Sequence, residues 1–195
     1  MGLTGAGKTS LLHRITHPNK VPAVSPTETY EEINFTSNRV FFNCWDVSGT
    51  EIGISLWPNY FHGGGVDAIV WVVDSSSSKL VKNSYSHLQK ILLDPQLVSV
   101  PLFVVANKQD VDGAMGPEEV AKKLKLQSND GKRLWRCLGV STLNGEGVKE
   151  LKRVLVKDMK AKLTGKTLAP GVEEVPKEDL CACCTGCCGG EVNYV

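Results

Sequence analysis

Long hydrophobic runs are missing from this sequence: no apolar stretch nears the roughly 20 residues that a membrane-crossing helix needs. An apolar N-terminal leader is missing as well, so neither an integral-membrane nor a secreted protein is expected. An excess of one charge is also lacking, with 22 Lys+Arg against 21 Asp+Glu and a net charge of +1. Without a clustered cationic surplus there is little to neutralise phosphates along a nucleic acid, and no nucleic-acid partner is expected. Cysteine is scarce through most of the chain. Only Cys44 and Cys137 precede residue 181, and both sit in apolar runs, where a free thiol behaves as a small hydrophobe. That distribution excludes a disulfide framework and points to a reduced, cytoplasmic body.

The 195 residues, 42% of them hydrophobic, suit one globular domain, able to bury about 70% of its unfolded surface without staples. Short apolar runs at 40–45 (VFFNCW), 68–73 (AIVWVV) and 102–106 (LFVVA) each lead into a polar residue: Asp46, Asp74 and Asn107. Such runs read as buried parallel strands with chemistry at their C-terminal ends, and 133–141 is a weaker strand candidate. Between them, 9–15, 80–93, 117–124 and 148–163 carry helical patterns. Pro117 with Glu118 and Glu119 makes a favourable helix start. The alternation predicts an α/β fold, a doubly wound, mostly parallel sheet with flanking helices. Periodicity stops near Leu163, so residues 1–163 are read as the domain and 164–195 as a flexible tail.

Gly2-Leu3-Thr4-Gly5-Ala6-Gly7-Lys8-Thr9 fits the phosphate-loop pattern G-x-x-x-x-G-K-S/T in full. Its glycines let backbone N–H groups turn inward around phosphate at the positive end of the following helix. Thr4, Gly5, Ala6, Gly7, Lys8, Thr9 and Ser10 are therefore candidate nucleotide contacts. Lys8 would reach the β- and γ-phosphates, and the Thr9 hydroxyl would hold Mg²⁺. Asn107-Lys108-Gln109-Asp110 follows an apolar strand. A carboxylate at Asp110 can accept from guanine's ring N–H and exocyclic amine, which adenine cannot match. Lys108 can cover the base and Asn107 can tie this loop to the phosphate loop. Asp46-Val47-Ser48-Gly49 ends another strand, with Asp46 placed to hold Mg²⁺ through water and the Gly49 N–H to touch a γ-phosphate. The Thr27 hydroxyl is a candidate second protein ligand to the metal, although its Ser-Pro-Thr-Glu-Thr setting is more simply read as a turn.

Together these residues resemble the ARF and ARF-like small GTPases. The resemblance spans residues 1–163 and rests on Gly2–Ser10, Pro26-Thr27, Trp45–Thr50, Trp57–Phe61, Val72–Ser75 and Ala106–Asp110, in order. It implies the small GTPase fold, GTP/GDP and Mg²⁺ as ligands, and a switch acting in membrane trafficking or signalling. An exchange factor, a GTPase-activating protein and an effector, none identified by the sequence, are implied as partners. It makes Thr27 a magnesium ligand, Ser141, Thr142 and Leu143 a backbone contact to guanine, and Trp45 with Trp57 an effector-docking patch; both tryptophans could equally be core.

Three departures from the family carry expectations. Thr50 stands where the family's water-orienting glutamine belongs, and is too short by about two bonds for that positioning role, so slow GTP hydrolysis is expected. The alternative is a GTP-locked scaffold without turnover; a P-loop kinase is a more distant reading. The chain as given starts inside the phosphate loop, so the fold's N-terminal strand is expected to be missing or incomplete, as in a truncated gene model. Met1-Gly2 is not read as a myristoylation site, because position six is Ala6. Last, Cys181, Cys183, Cys184, Cys187 and Cys188 crowd into the tail. They are candidates for acylation onto a membrane surface beside a lysine-rich helix, for metal binding through C-x-x-C spacing, or for no modification at all.

Overall fold

The computed structural model describes residues 1–21, 25–62, 65–126, 133–165 and 171–172. Each apolar run becomes a strand. β3 (Ile69–Asp74), β4 (Leu102–Asn107) and β5 (Trp135–Val140) pair in parallel in that order. All six residues of β4 are buried, as expected for a strand covered on both faces. Register sets Asp74, Asn107 and Val140 side by side, so the sheet's C-terminal edge is where polar chemistry collects.

Alternation along the strands feeds two cores. Trp71, Val73, Val104 and Ala106 pack with α2 (Glu51–Phe61), α3 (Ser78–Leu92) and α4 (Pro117–Lys123). Val72, Phe103, Val105 and Leu138 pack with α1 (Lys8–Thr16) and α5 (Val148–Leu163) on the other face. This is the doubly wound α/β arrangement that strand–helix alternation predicts. A two-residue strand, β6 (Gly171–Val172), pairs in parallel with Arg136 and Cys137 of β5. Gly171 and Val172, within the stretch read as a flexible tail, are thus paired at the edge of the parallel sheet. The five clustered cysteines lie outside the described residues.

β1 (Tyr30–Ser37) and β2 (Val40–Val47) form an antiparallel hairpin. Its two turn residues, Asn38 and Arg39, both have positive φ (47° and 64°), which matches the right-handed twist of the flanking strands. β2 runs two residues further than its apolar run, placing Asp46 inside the strand opposite Glu31.

The hairpin and the parallel strands are separate sheets. Between β2 and β3 lies a groove of about 570 Å³, lined by residues including Phe42, Cys44, Val70 and Val72. Met1 lies along β3: its amino group donates to the Val70 carbonyl at 2.7 Å, and the Val72 N–H donates to the Met1 carbonyl at 2.9 Å. Burial, reinforced by Lys8, pushes the Met1 amino group down to about 5, and burial pushes the Cys44 thiol up to about 11.

Candidate functional site

The phosphate-loop sequence leads from Met1 against β3 straight into α1. Gly7, at φ 94°, precedes the helix, and a Cβ there would stand 2.2 Å from the Asn107 side-chain nitrogen. Only glycine permits that approach. Lys8 Nζ donates to the Leu3 carbonyl at 3.2 Å, folding back over the loop. Burial lowers its pKa, and the nearby Asp46 carboxylate works in the opposite direction. Within the loop, the N–H groups of Thr4 and Ala6 are engaged by the Gly49 and Leu3 carbonyls at 3.1 and 3.2 Å. Gly49 is pressed against this loop so closely that a Cβ would lie 2.4 Å from the Gly2 carbonyl oxygen.

The three candidate metal-holding residues converge from three segments. Thr9 Oγ1 lies 2.5 Å from Asp46 Oδ2 and 3.0 Å from Thr27 Oγ1, and Thr27 Oγ1 lies 3.2 Å from the same carboxylate oxygen. Thr27 is thus more than a turn residue. An all-oxygen set of two hydroxyls and one carboxylate fits a hard cation such as Mg²⁺, which retains waters and takes substrate phosphate oxygens in its remaining positions. A cleft of about 450 Å³ opens beside Thr9, lined by the loop at 25–31.

At the other end, Asn107 is fully buried and ties three segments together. Its amide nitrogen donates to the Ala6 carbonyl at 2.7 Å and to Thr142 Oγ1 at 3.3 Å, and its Oδ1 accepts from the Thr142 N–H at 3.1 Å. Ser141 Oγ donates to Asp110 Oδ1, so the Ser141–Thr142–Leu143 loop abuts the carboxylate. Lys108 adopts φ 70°, a left-handed conformation costly for a side chain with a Cβ. It is held there by an ion pair with Asp74 at 2.5 Å. Burial raises the Asp74 pKa, but hydrogen bonds from Lys108 and Ser76 outweigh it and leave the carboxyl below its usual range.

Thr50 does not face the loop as a free hydroxyl. It N-caps α2, accepting from the Gly53 N–H at 3.1 Å, and lies 3.1 Å from Ser48 Oγ. Trp57 is core: it is 2% exposed and donates to the Ser48 carbonyl at 3.0 Å, so it does not belong to a docking patch. Trp45 is 45% exposed and clusters with Tyr30 and Tyr60, with ring centroids 6.0 and 5.9 Å away.

Three contributors escaped sequence reasoning. Gln109 Nε2 donates to Ser75 Oγ at 2.8 Å and to the Met115 carbonyl at 2.9 Å, anchoring the base loop. Ser75 in turn donates to the Asn107 carbonyl at 2.5 Å. Arg14, on α1, donates to the carbonyls of Thr142 and Leu143. For Arg14 a signal existed: it shares an apolar helical stripe with Leu11 and Ile15, where a charge is out of place.

Comparison with known proteins bears on this arrangement. Residues 1–159 match the ADP-ribosylation factor family. ADP-ribosylation factor-like protein 2 of Arabidopsis thaliana is 34% identical over 163 residues, covering 84% of this chain and 86% of the relative. The alp41 protein of Schizosaccharomyces pombe is 33% identical over 160 residues, covering 82% and 84%. The solved Arl6 BBS3 small GTPase from Trypanosoma brucei, with bound nucleotide analogue GppNp, superposes with a TM-score of 0.73 at 26% identity, covering 82% of this chain and 94% of that one. A phosphate loop joined through one buried asparagine to an N-K-Q-D loop, on a doubly wound sheet, agrees with those matches, and the chain belongs to the ADP-ribosylation factor family of small GTPases.

Proposed function

We propose that the chain is a guanine-nucleotide switch that binds GTP and GDP with Mg²⁺ and hydrolyses GTP slowly. The observation carrying this reading is the Asn107 side chain, which bridges the Ala6 carbonyl to Thr142 and so fixes the spacing between a phosphate cradle and a base reader. Gly5, Gly7, Lys8 and Ser10 would surround the phosphates, Asp110 with Ser141, Thr142 and Leu143 would read the base, and Thr9, Thr27 and Asp46 would hold the metal. When bound, Mg²⁺ supplies positive charge to the phosphate oxygens; Lys8 adds its own charge at the same place. Gly49, lying against the loop, would sense the γ-phosphate and pass its loss to α2, which begins two residues later at Glu51.

Slow turnover follows from Thr50. Its hydroxyl is committed to the first turn of α2 and its side chain cannot extend to an attacking water. Single-turnover hydrolysis by the protein and its Thr50→Gln variant tests this: the variant is expected to be faster, while equal, family-normal rates would refute it. The same capping contact favours a second reading, a GTP-locked scaffold, which predicts no measurable turnover without a partner. Competition between GTP and ATP tests the base assignment, and a preference for ATP would favour a P-loop kinase instead. The exposed Trp45, Tyr30 and Tyr60 cluster is the proposed effector contact. Peripheral membrane attachment through the tail cysteines predicts partitioning that is lost when all five become serine.

A further inference from the structure

We propose that Arg14 is a positioning residue for base recognition, holding the loop of Ser141, Thr142 and Leu143 from behind so that the Leu143 N–H can read the oxygen at guanine's six-position. The inference rests on the guanine reading above.

Arg14 is 6% exposed and lies in the apolar stripe of α1 between Leu11 and Ile15. Its Nε donates to the Thr142 carbonyl at 2.9 Å, its Nη1 to the Pro18 carbonyl at 3.0 Å, and its Nη2 to the Leu143 carbonyl. Among the described residues it makes no ion pair with a carboxylate. A buried cation met only by neutral carbonyls is costly, and an aliphatic residue would pack α1 without that cost. The contact therefore serves the loop more than the helix.

The chemistry of the base says what the loop is for. Guanine's pairing edge offers two donors, the ring N–H and the exocyclic amine, and one acceptor, the six-position oxygen. Asp110 can accept from both donors but can give the acceptor nothing while ionised. Ser141 Oγ donates to Asp110, which brings the 141–143 loop against the carboxylate and so beside the pairing edge of a base held there. The Thr142 carbonyl and the Leu143 N–H belong to one peptide unit. A guanidinium on that carbonyl polarises the unit and strengthens its N–H as a donor. Asn107 fixes the same loop through the Thr142 N–H, so front and back are both held.

The test compares GDP with two analogues on the full chain: inosine diphosphate, which lacks the amine that Asp110 reads, and 6-thioguanosine diphosphate, which keeps the ring N–H and the amine but carries sulfur, a weaker acceptor, in place of the six-position oxygen. The natural protein is expected to bind the second analogue at least about tenfold more weakly than GDP. In Arg14→Met, GDP release should speed up about 10- to 100-fold. The penalty for replacing the oxygen with sulfur should shrink towards one, and the inosine penalty should stay as it was. Arg14→Lys, which can reach one carbonyl, should fall between and decides the matter if far-UV circular dichroism finds Arg14→Met unfolded. A sulfur-for-oxygen penalty unchanged by either substitution, in protein that binds GDP, overturns the role of Arg14 alone. Failure of the natural protein to bind GDP overturns the guanine reading and this role with it.

Discussion

Buried polar side chains that serve several segments at once are costly to remove, because each truncation strands every partner. Asn107 is such a residue: in Asn107→Ala the Ala6 carbonyl and the Thr142 N–H both lose a buried partner. At about 1–3 kcal/mol for each stranded group, and with some relaxation, a loss of roughly 2–4 kcal/mol is expected from urea denaturation. A loss within a few tenths of a kcal/mol would mean the bridge is dispensable. Asp74 gives the residue scale a pH signature. Its folded pKa lies below the ordinary 3.8, so the stabilisation it provides is fully present above that value and disappears as pH falls through the lower, folded pKa. Urea midpoints measured from pH 7 down to pH 3 should fall less steeply for Asp74→Asn, which carries no titrating group there; parallel curves would argue against the Lys108 contact. The Lys108 partner and its left-handed backbone were not legible in the sequence, because N-K-Q-D fixes residue types without the tertiary ion pair that holds φ at 70°.

Elements were more legible than their joints. Helical spacing alone places α5 at residues 148–163, with the same ends as the observed Val148–Leu163, because a wide apolar stripe of Leu151, Val154, Leu155 and Met159 repeats at the helical period. β1 and α2 are not marked by periodicity: β1 is exposed or half-exposed along its whole length, and α2 contains Pro58. The joint between α5 and β5 escaped notice too. Asp158 lies in the buried stripe of α5, fully shielded, and accepts from Arg136 Nε at 2.7 Å. Like Arg14, it is a charge in an apolar stripe, the pattern that betrays a tertiary polar contact. Asp158→Asn removes the carboxylate charge that the buried guanidinium pairs with and should cost about 3 kcal/mol, whereas Arg136→Met with Asp158→Leu together should come within about 1 kcal/mol of the natural protein. If the double replacement is as damaging as the single one, the pair contributes more than mutual neutralisation and the two elements depend on it for their docking.

At the scale of the whole molecule, the division between hairpin and parallel sheet sets where the fold should open first. β4 pairs on both sides and is covered on both faces, so exposing its amides requires dismantling both cores. β1 pairs only with β2 among the described strands, and all of its residues are exposed or half-exposed. The metal-site geometry straddles this boundary: Asp46 comes from the hairpin, Thr9 from α1 and Thr27 from the loop that enters β1. Opening the hairpin therefore pulls the proposed metal ligands apart while leaving Asn107, Asp110 and the base loop in place. Native-state hydrogen exchange should show the amides of Phe103, Val104 and Val105 exchanging only through global unfolding, and those of residues 31–36 exchanging through a smaller opening of lower free energy. Adding GDP and Mg²⁺ should then slow the hairpin's exchange disproportionately, because a ligand that bridges the boundary stabilises the closed form by RT ln(1 + [L]/Kd). Uniform protection across both sheets before ligand is added would mean that the loops and α1 already couple them into one cooperative unit, and that the groove between β2 and β3 does not weaken the fold.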